Sequence, residues 1–150
     1  MKSLIIDTNL LVLLVVGLTR PSLIERHKRT KQFAETDFEL LVRLISNSSR
    51  IVVTPHTLAE TSNLAGNIEG DARREVLSTL ARIVQVAEEV WKPAREITSS
   101  KPFLSLGLAD AAMTEIDDRN SILLTADLDL YLAQLEAGRE ALNFNHLRDL

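Results

Sequence analysis

The sequence predicts an α/β fold in which a parallel β-sheet is covered by helices on both faces. Short, continuous apolar runs bounded by polar residues alternate along the chain with segments whose apolar residues recur every three or four positions. This alternation indicates parallel strands joined by helices. Because the chain has 150 residues, no internal repeat and no stretch resembling a linker, we expect a single domain, residues 1–150.

The predicted strands are short and end at polar residues. In chain order they are Ser3–Ile6, Ile51–Thr54, Ser121–Thr125 and a weaker Leu142–Phe144. The first three are continuous apolar runs, as expected of strands covered on both faces. A further strand near Val84–Ala87 stays open, because Val84 and Val86 alternate with Gln85 but also fit the end of the preceding helix.

The predicted helices carry apolar residues at helical spacing. They are Leu10–Leu18, Asp37–Ser46, Thr57–Ala65, Asp71–Val86, Leu106–Asp118 and Leu128–Ala137. The first is a run of nine residues without a polar side chain, which is too short to cross a membrane, since that takes about 20 residues. Asp7 before the run and Arg20 after it also argue against a signal peptide. We therefore expect a cytoplasmic protein with a buried first helix and no membrane contact.

The chain has no cysteine and a formal net charge of -4. The absence of cysteine excludes disulfides and cysteine-based metal sites. Positive charge is concentrated in residues 20–31, where Glu25 is the one acid among Arg20, Arg26, Lys28, Arg29 and Lys31. Nucleic-acid-binding proteins are usually basic overall, so RNA contact is expected through a local patch of Arg26, Lys28, Arg29 and Lys31. The alternative is that this run is a solvated surface.

Four acidic residues are predicted near the carboxyl ends of the strands, where ligands of open parallel sheets bind. Asp7 directly follows the first strand, and Asp127 lies two residues beyond Thr125. Glu60 begins little more than a helical turn after the second strand, and Asp110 lies among small apolar residues of a predicted helix. Clustered carboxylates repel each other unless they bind a cation, and hard Mg²⁺ or Mn²⁺ prefers such oxygens.

Each acid also has a purely structural interpretation. Asp7 and Asp127 both precede predicted helices and could act as helix N-caps. Glu60 and Asp110 could simply face water. Taken singly, the four acids leave the choice between a metal site and these structural roles open.

Four segments resemble, in order, the motifs of the PIN-domain family. They are Leu4-Ile5-Ile6-Asp7-Thr8-Asn9, then Val52-Val53-Thr54-Pro55 with Glu60, then Leu108-Ala109-Asp110-Ala111-Ala112, and Ile122-Leu123-Leu124-Thr125-Ala126-Asp127. The resemblance spans residues 3–129. It implies a three-layer α/β/α fold and hydrolysis of RNA phosphodiester bonds with one or two Mg²⁺ or Mn²⁺ ions. Many small bacterial members that are similar to this chain are toxins held by an antitoxin.

The resemblance also implies roles for individual residues. The metal ligands and catalytic residues would be Asp7, Glu60, Asp110 and Asp127. The supporting groups would be Thr8, Asn9 and Thr125, with Asp129 as a further acid. The segment from Leu10 to Arg50 is longer than in compact toxin members, which leaves the toxin role open. We expect an antitoxin or a second copy of the chain to cover part of Leu10–Leu18 and of residues 20–50.

Two other functions compete with a metal-dependent ribonuclease. A PIN fold can serve as a non-catalytic RNA-binding or scaffold module, although such a module would be expected to lack one of the four acids. A phospho-receiver domain also places acids at strand ends. It would need an acid pair after the first strand and a lysine after a later one, whereas Asp7 stands alone and no lysine follows Lys101.

Overall fold

The central strand of the sheet is β1 (Ser3–Ile6), and all four of its residues are buried. It pairs in parallel with β2 (Ile51–Val53) on one side and with β4 (Ser121–Thr125) on the other. Two short strands, β3 (Glu88–Glu89) and β5 (Ala141–Asn143), form the edges. The computed structural model describes residues 1–148, and its strand order β3-β2-β1-β4-β5 is parallel throughout. The predicted parallel sheet is confirmed, and within it β1 lies beside β4.

Helices cover both faces of this sheet. They are α1 (Thr8–Thr19), α2 (Glu35–Ser46), α3 (Pro55–Ala65), α4 (Asp71–Val86), α5 (Ala94–Ile97), α6 (Phe103–Leu106), α7 (Leu108–Thr114), α8 (Leu128–Glu136) and α9 (Phe144–Arg148), with a short 3₁₀ turn at Pro21–Leu23. Successive strand residues point to opposite faces. Leu4 and Ile6 therefore pack in one core with α1, whereas Ile5 packs in another with Met113 of α7 and Leu130 of α8. This is the predicted three-layer α/β/α arrangement.

The apolar residues of the first helix are buried in the protein's own core. Residues Leu10–Val16 are all buried in α1, which contacts α2, α3 and α4. Leu18 is 49% exposed at the end of the run. The apolar character of Leu10–Val16 therefore gives no reason to expect a partner on that helix. Within residues 1–148, no helix is long and apolar enough to cross a membrane.

The predicted helix Leu106–Asp118 is wrong in its bounds. Gly107 has a φ of 85°, a conformation that other residues rarely adopt, and it separates α6 from α7. The second of these helices ends at Thr114, four residues before the predicted end at Asp118. Asp110 consequently lies in the first turn of a short helix rather than in the second turn of a long one.

Two predicted strands are wrong at their last residue, and the question left open near Val84–Ala87 is decided in favour of a helix. Thr54 is not the last residue of β2, because its hydroxyl caps α3 by accepting the N–H of Thr57 at 3.1 Å. Residues Val84–Val86 belong to α4, so the edge strand lies two residues beyond Val86. Phe144 is not in β5, because it begins α9 and is fully buried.

The C-terminal helix is held by one arginine. The Arg148 guanidinium donates two hydrogen bonds to the carboxylate of Asp37 in α2, at 3.1 and 2.6 Å, and a third to the Gln32 carbonyl at 3.3 Å. It also lies over the Phe33 ring, 5.0 Å from its centroid. These contacts tie α9 to α2 and to the irregular segment between α1 and α2.

Candidate functional site

Four acidic side chains come from four different elements to one edge of the sheet. Asp7 directly follows β1, and Asp127 follows β4 by two residues. Glu60 lies in the second turn of α3, which begins soon after β2, and Asp110 lies in the first turn of α7. Parallel strands end at the same edge, and α3 contacts α7. The sequence-predicted ligand set is therefore gathered in one region.

Asp7 is almost fully buried, and both of its carboxylate oxygens accept hydrogen bonds. Oδ1 accepts the N–H of Leu10 at 3.0 Å and so caps α1. Oδ2 accepts the N–H of Ala126 at 3.1 Å and the hydroxyl of Thr125. Burial raises the pKa of the Asp7 carboxyl, although these hydrogen bonds oppose the shift, and the charge of Asp127 raises it further. Asp7 is thus a helix cap and a member of the acidic cluster at once.

Thr125 connects Asp7 to Asp127. Its hydroxyl donates to Asp7 and accepts the N–H of Asp127 at 2.9 Å. Asp127 is exposed and caps α8, since its Oδ1 accepts the N–H groups of Asp129 and Leu130 at 2.9 and 3.2 Å. No hydrogen bond within residues 1–148 uses its Oδ2. The capping role predicted as the alternative for Asp127 is confirmed, and it leaves one oxygen available to a ligand.

Asp110 carries the clearest electrostatic signature of the cluster. Its pKa is raised to about 7, first because the side chain is partly buried and then because of the negative charges of Asp127, Asp7 and Glu60, in that order. Burial by itself raises a carboxyl pKa, and like charges add to the shift when they lie nearby. The side chain of Asp110 therefore lies where the fields of the other three converge.

Glu60 is the least restrained member of the set. Its side chain is exposed and makes no hydrogen bond or ion pair with any residue of the described range 1–148. A long, unrestrained carboxylate can change rotamer at little cost. Glu60 can therefore approach Asp110 more closely than it does here.

The chemistry of this donor set fits a hard divalent cation. Four carboxylates in one region, with the pKa of Asp110 raised to about 7, repel each other, and an Mg²⁺ or Mn²⁺ ion would offset that repulsion. As the side chains are placed, no group of three or more acids or histidines in residues 1–148 is close enough to hold an ion. Glu60 and Asp127 are both exposed and would have to rotate toward Asp110 to complete a coordination shell.

The predicted supporting residues differ in their surroundings. Thr8 is buried, and its hydroxyl has no hydrogen-bond partner within residues 1–148. A buried hydroxyl without a partner is unusual and marks a place for a bound water or ligand. Asn9 is exposed at the start of α1. Asp129 is exposed in the first turn of α8 and is not among the acids that raise the pKa of Asp110.

Asn145 is a supporting residue that the sequence analysis missed. Its side-chain amide donates to the carbonyl of Ala126 at 3.0 Å, and its own N–H donates to the Asn143 side chain at 3.0 Å. Ala126 is the residue whose N–H holds Asp7. The signal was present, because Asn143 and Asn145 are polar residues at the end of a strand, as Asp7 and Asp127 are.

The predicted basic patch is not gathered around the acids. Arg26, Lys28, Arg29 and Lys31 are all exposed in the irregular segment between α1 and α2. Between Arg26 and Lys28, the buried ring of His27 contacts the carbonyl of Ala65, the last residue of α3. This part of the segment therefore lies at the end of α3 that faces away from β2.

The remaining ring side chains do not complete a metal site. His27 is buried and hydrogen-bonded through both ring nitrogens. His146 is exposed and packs edge-on against Tyr131, with centroids 5.9 Å apart. His56 lines a cavity beside α7 together with Trp91, which is 68% exposed and so is not part of the core.

Comparison with known proteins adds one distant similarity. No family model and no curated protein matches the chain. Among solved structures it is similar to a domain of a functionally unknown protein from Methanocaldococcus jannaschii DSM 2661, with 23% identity and a TM-score of 0.46. The similarity covers 95% of this chain and 91% of that one.

Proposed function

We propose that this chain is a metal-dependent ribonuclease of the PIN type, with Asp7, Glu60, Asp110 and Asp127 as its catalytic residues. The observation that carries the proposal is that Asp7, Glu60, Asp110 and Asp127 come from separate elements to one edge of the sheet. There burial, and then the charges of the other three acids, raise the pKa of Asp110 to about 7. Such a cluster costs free energy in the absence of a cation and is expected where metal binding compensates. The order of the PIN-like segments along the chain supports the same function.

The four acids would have different roles in metal binding, according to how firmly each side chain is held. Asp7 is fixed by hydrogen bonds on both oxygens and can present only its remaining lone pairs. Glu60 and Asp127 are exposed and would adjust to a bound cation, whereas Asp110 would give up its proton to act as a ligand. A bound Mg²⁺ or Mn²⁺ would supply an activated water and would stabilise charge on the attacked phosphate.

The toxin role is part of the same proposal and rests on the resemblance to small bacterial PIN proteins. In that case an antitoxin protein would block the acidic cluster until it is removed. The genomic neighbourhood tests this role. A small adjacent reading frame with a DNA-binding head and an amphipathic tail would support it.

The catalytic proposal predicts that cleavage depends on both metal and acids. The substrate is a mixed RNA pool incubated with Mg²⁺, Mn²⁺ or EDTA. Asp110→Asn and Glu60→Gln should each lower the cleavage rate on the order of 100-fold or more, because each removes charge that the cation needs. Glu39→Gln is the matched control, since Glu39 is an exposed acid of α2 remote in sequence from the cluster.

Asp7→Asn is a poorer test than the other two variants. An asparagine can still cap Leu10 with its oxygen, but its amide would then face the N–H of Ala126. Leaving that donor unpaired costs about 1–3 kcal/mol, which would mix a folding effect with a metal effect. Asp110 and Glu60 accept no hydrogen bond within residues 1–148, so their amides avoid this problem.

The outcomes separate the competing functions. Cleavage that persists in EDTA, or at close to the wild-type rate in Asp110→Asn, would rule out the proposed mechanism. A wild-type protein that binds RNA but cleaves none with either metal would favour the non-catalytic scaffold, once copurified antitoxin has been excluded by mass spectrometry.

A further inference from the structure

A cavity of about 510 Å³ lies between the C-terminal end of α3 and the irregular segment that follows α1. Its charged lining is mainly cationic: Arg20, Arg26, Lys28 and Arg73, against Glu69. The whole chain carries a net charge of -4. This concave surface is therefore locally cationic on a chain that is acidic overall. We call it the basic cavity.

One wall of the basic cavity depends on a glycine. The Arg73 guanidinium donates to the carbonyl of Gly66 at 2.9 Å. A Cβ on residue 66 would lie 2.4 Å from that guanidinium nitrogen and 2.9 Å from the backbone oxygen of Ser62. The φ of Gly66 is an ordinary -73°, so glycine is needed here for space. Its missing side chain lets the arginine rest directly on the end of α3.

A second part of the cavity lining is held in place by the buried side chain of His27. Its Nε2 donates to the carbonyl of Ala65 at 2.8 Å, and its Nδ1 accepts the N–H of Arg29 at 3.0 Å. This links the segment on either side of His27 to the end of α3. Arg26 and Lys28 are thereby placed at the cavity, and within residues 1–148 neither side chain makes a hydrogen bond or an ion pair.

We infer that the basic cavity binds a phosphodiester group of an RNA strand whose scissile bond lies at the acidic cluster. The choice of RNA rests on the proposed function. Guanidinium and ammonium groups in a concave surface match phosphate oxygens through charge-assisted hydrogen bonds. Without a bound cation the acidic cluster repels phosphates, so a cationic contact elsewhere would hold the RNA strand. From Glu60 to Gly66, α3 rises about 9 Å, a distance that a few nucleotides can span.

Metal-free RNA binding tests this inference without requiring cleavage. A fluorescein-labelled single-stranded RNA is titrated with the full chain in EDTA at several salt concentrations, followed by anisotropy. Arg26→Gln/Lys28→Gln should weaken binding about tenfold or more at low salt. The slope of log K against log salt should become shallower by about 0.7 for each phosphate that the variant no longer binds. Both side chains are exposed, and circular dichroism checks that the variant folds.

The matched control is Arg95→Gln/Lys101→Gln, which removes the same charge from two exposed residues in and after α5. This control variant should keep the wild-type slope of log K against log salt. An equal loss in both double variants would show a nonspecific charge effect and would overturn the inference, as would wild-type RNA binding that is absent or unaffected by Arg26→Gln/Lys28→Gln. A polyglutamate peptide is titrated in parallel. If Arg26→Gln/Lys28→Gln weakens binding of the polyglutamate peptide but not of RNA, the cavity binds acidic protein instead.

The experiment separates this inference from the proposed function. If the wild type binds RNA through the basic cavity but never cleaves it, RNA binding by the cavity stands, whereas the nuclease proposal and the placement of a scissile bond at the acidic cluster both fall. If cleavage depends on Asp110 but Arg26→Gln/Lys28→Gln leaves RNA affinity unchanged, the nuclease proposal stands and the cavity proposal falls.

Discussion

At the scale of single residues, the acidic cluster contains one firmly held carboxylate, Asp7, and one whose pKa is near neutral, Asp110. Asp7 is held on both oxygens by the chain around it. Asp110 has no such bonds, and its pKa is raised to about 7 by burial and by the neighbouring acids. A carboxyl that titrates near neutral pH responds strongly to any cation that enters the site. Asp110 is therefore the residue at which metal binding and pH should be most closely coupled.

This coupling predicts a pH-dependent stability difference between wild type and Asp110→Asn in EDTA. The folded-state pKa of about 7 lies above the ordinary value of 3.8, so the folded protein binds the extra proton. The stability that this contributes is fully present below about pH 4 and is lost as pH rises through about 7. Urea denaturation should show similar stabilities near pH 4 and a more stable variant near pH 8.

Added Mn²⁺ should reverse that order near pH 8, because the cation stabilises the wild-type cluster and finds fewer charges in the variant. Parallel pH profiles for the two proteins in EDTA would contradict the assignment of the raised pKa to Asp110. Glu39→Gln serves again as the control, and its profile should follow the wild type.

Among the helices and strands, the start of α7 decides the position of Asp110. Gly107 separates α6 from α7 and has a φ of 85°. A Cβ at this position would meet no atom within 4 Å, so the need for glycine is purely conformational. Gly138, which lies after α8, has a φ of 77° and similarly open surroundings. The two glycines differ mainly in the next segment of chain, since only Gly107 leads directly into a helix that carries a site residue.

We predict that Gly107→Ala and Gly138→Ala each destabilise the protein by about 1 kcal/mol or more, because both place a side chain at a positive φ that residues other than glycine rarely adopt. Their effects on RNA cleavage should differ. Gly107→Ala should lower the rate severalfold by displacing the first turn of α7, whereas Gly138→Ala should leave it within about twofold of wild type. Thermal denaturation and initial cleavage rates measure the two effects. Equal losses of activity would show that the start of α7 does not position Asp110.

Across the molecule as a whole, the C-terminal end of the described chain closes the structure onto its first half. β5 extends the sheet beyond β4, and α9 brings Arg148 onto Asp37 of α2. Asn145, in the same helix, holds the carbonyl of Ala126 beside the acidic cluster. Packing of α9 therefore affects both the overall stability and the loop that carries Asp127.

Arg148→Ala should cost about 2 kcal/mol of unfolding free energy, because Asp37 is 8% exposed and would lose its charged partner. The control is Lys2→Ala, which removes an exposed ion pair between Lys2 and Glu140. Pairs of that kind contribute at most about 1 kcal/mol. Chemical denaturation of both variants measures the difference. If Arg148→Ala costs no more unfolding free energy than Lys2→Ala, the contacts of Arg148 with Asp37 contribute little to stability.

The fold class and the location of the acids could be predicted from the amino-acid sequence without coordinates. Continuous apolar runs such as Ser3–Ile6 and Ser121–Thr125 can be satisfied only by burial on both faces of a parallel sheet. A carboxylate directly after such a run has to lie at the edge where parallel strands end, which places Asp7 and Asp127. Local periodicity was also sufficient for Asp71–Val86, which is α4 to the residue.

The way in which the site residues are held, and the direction in which the basic residues face, depended on tertiary packing. Helix bounds near Gly107 and Thr54 depended on a positive φ and on a capping hydroxyl, which apolar periodicity does not report. The exposed run after α1 has no apolar pattern to orient it. Its direction was set by the buried ring of His27 on the end of α3. Contacts between residues far apart in sequence, including Asn145 with Ala126, arise from packing, and no local pattern encodes them.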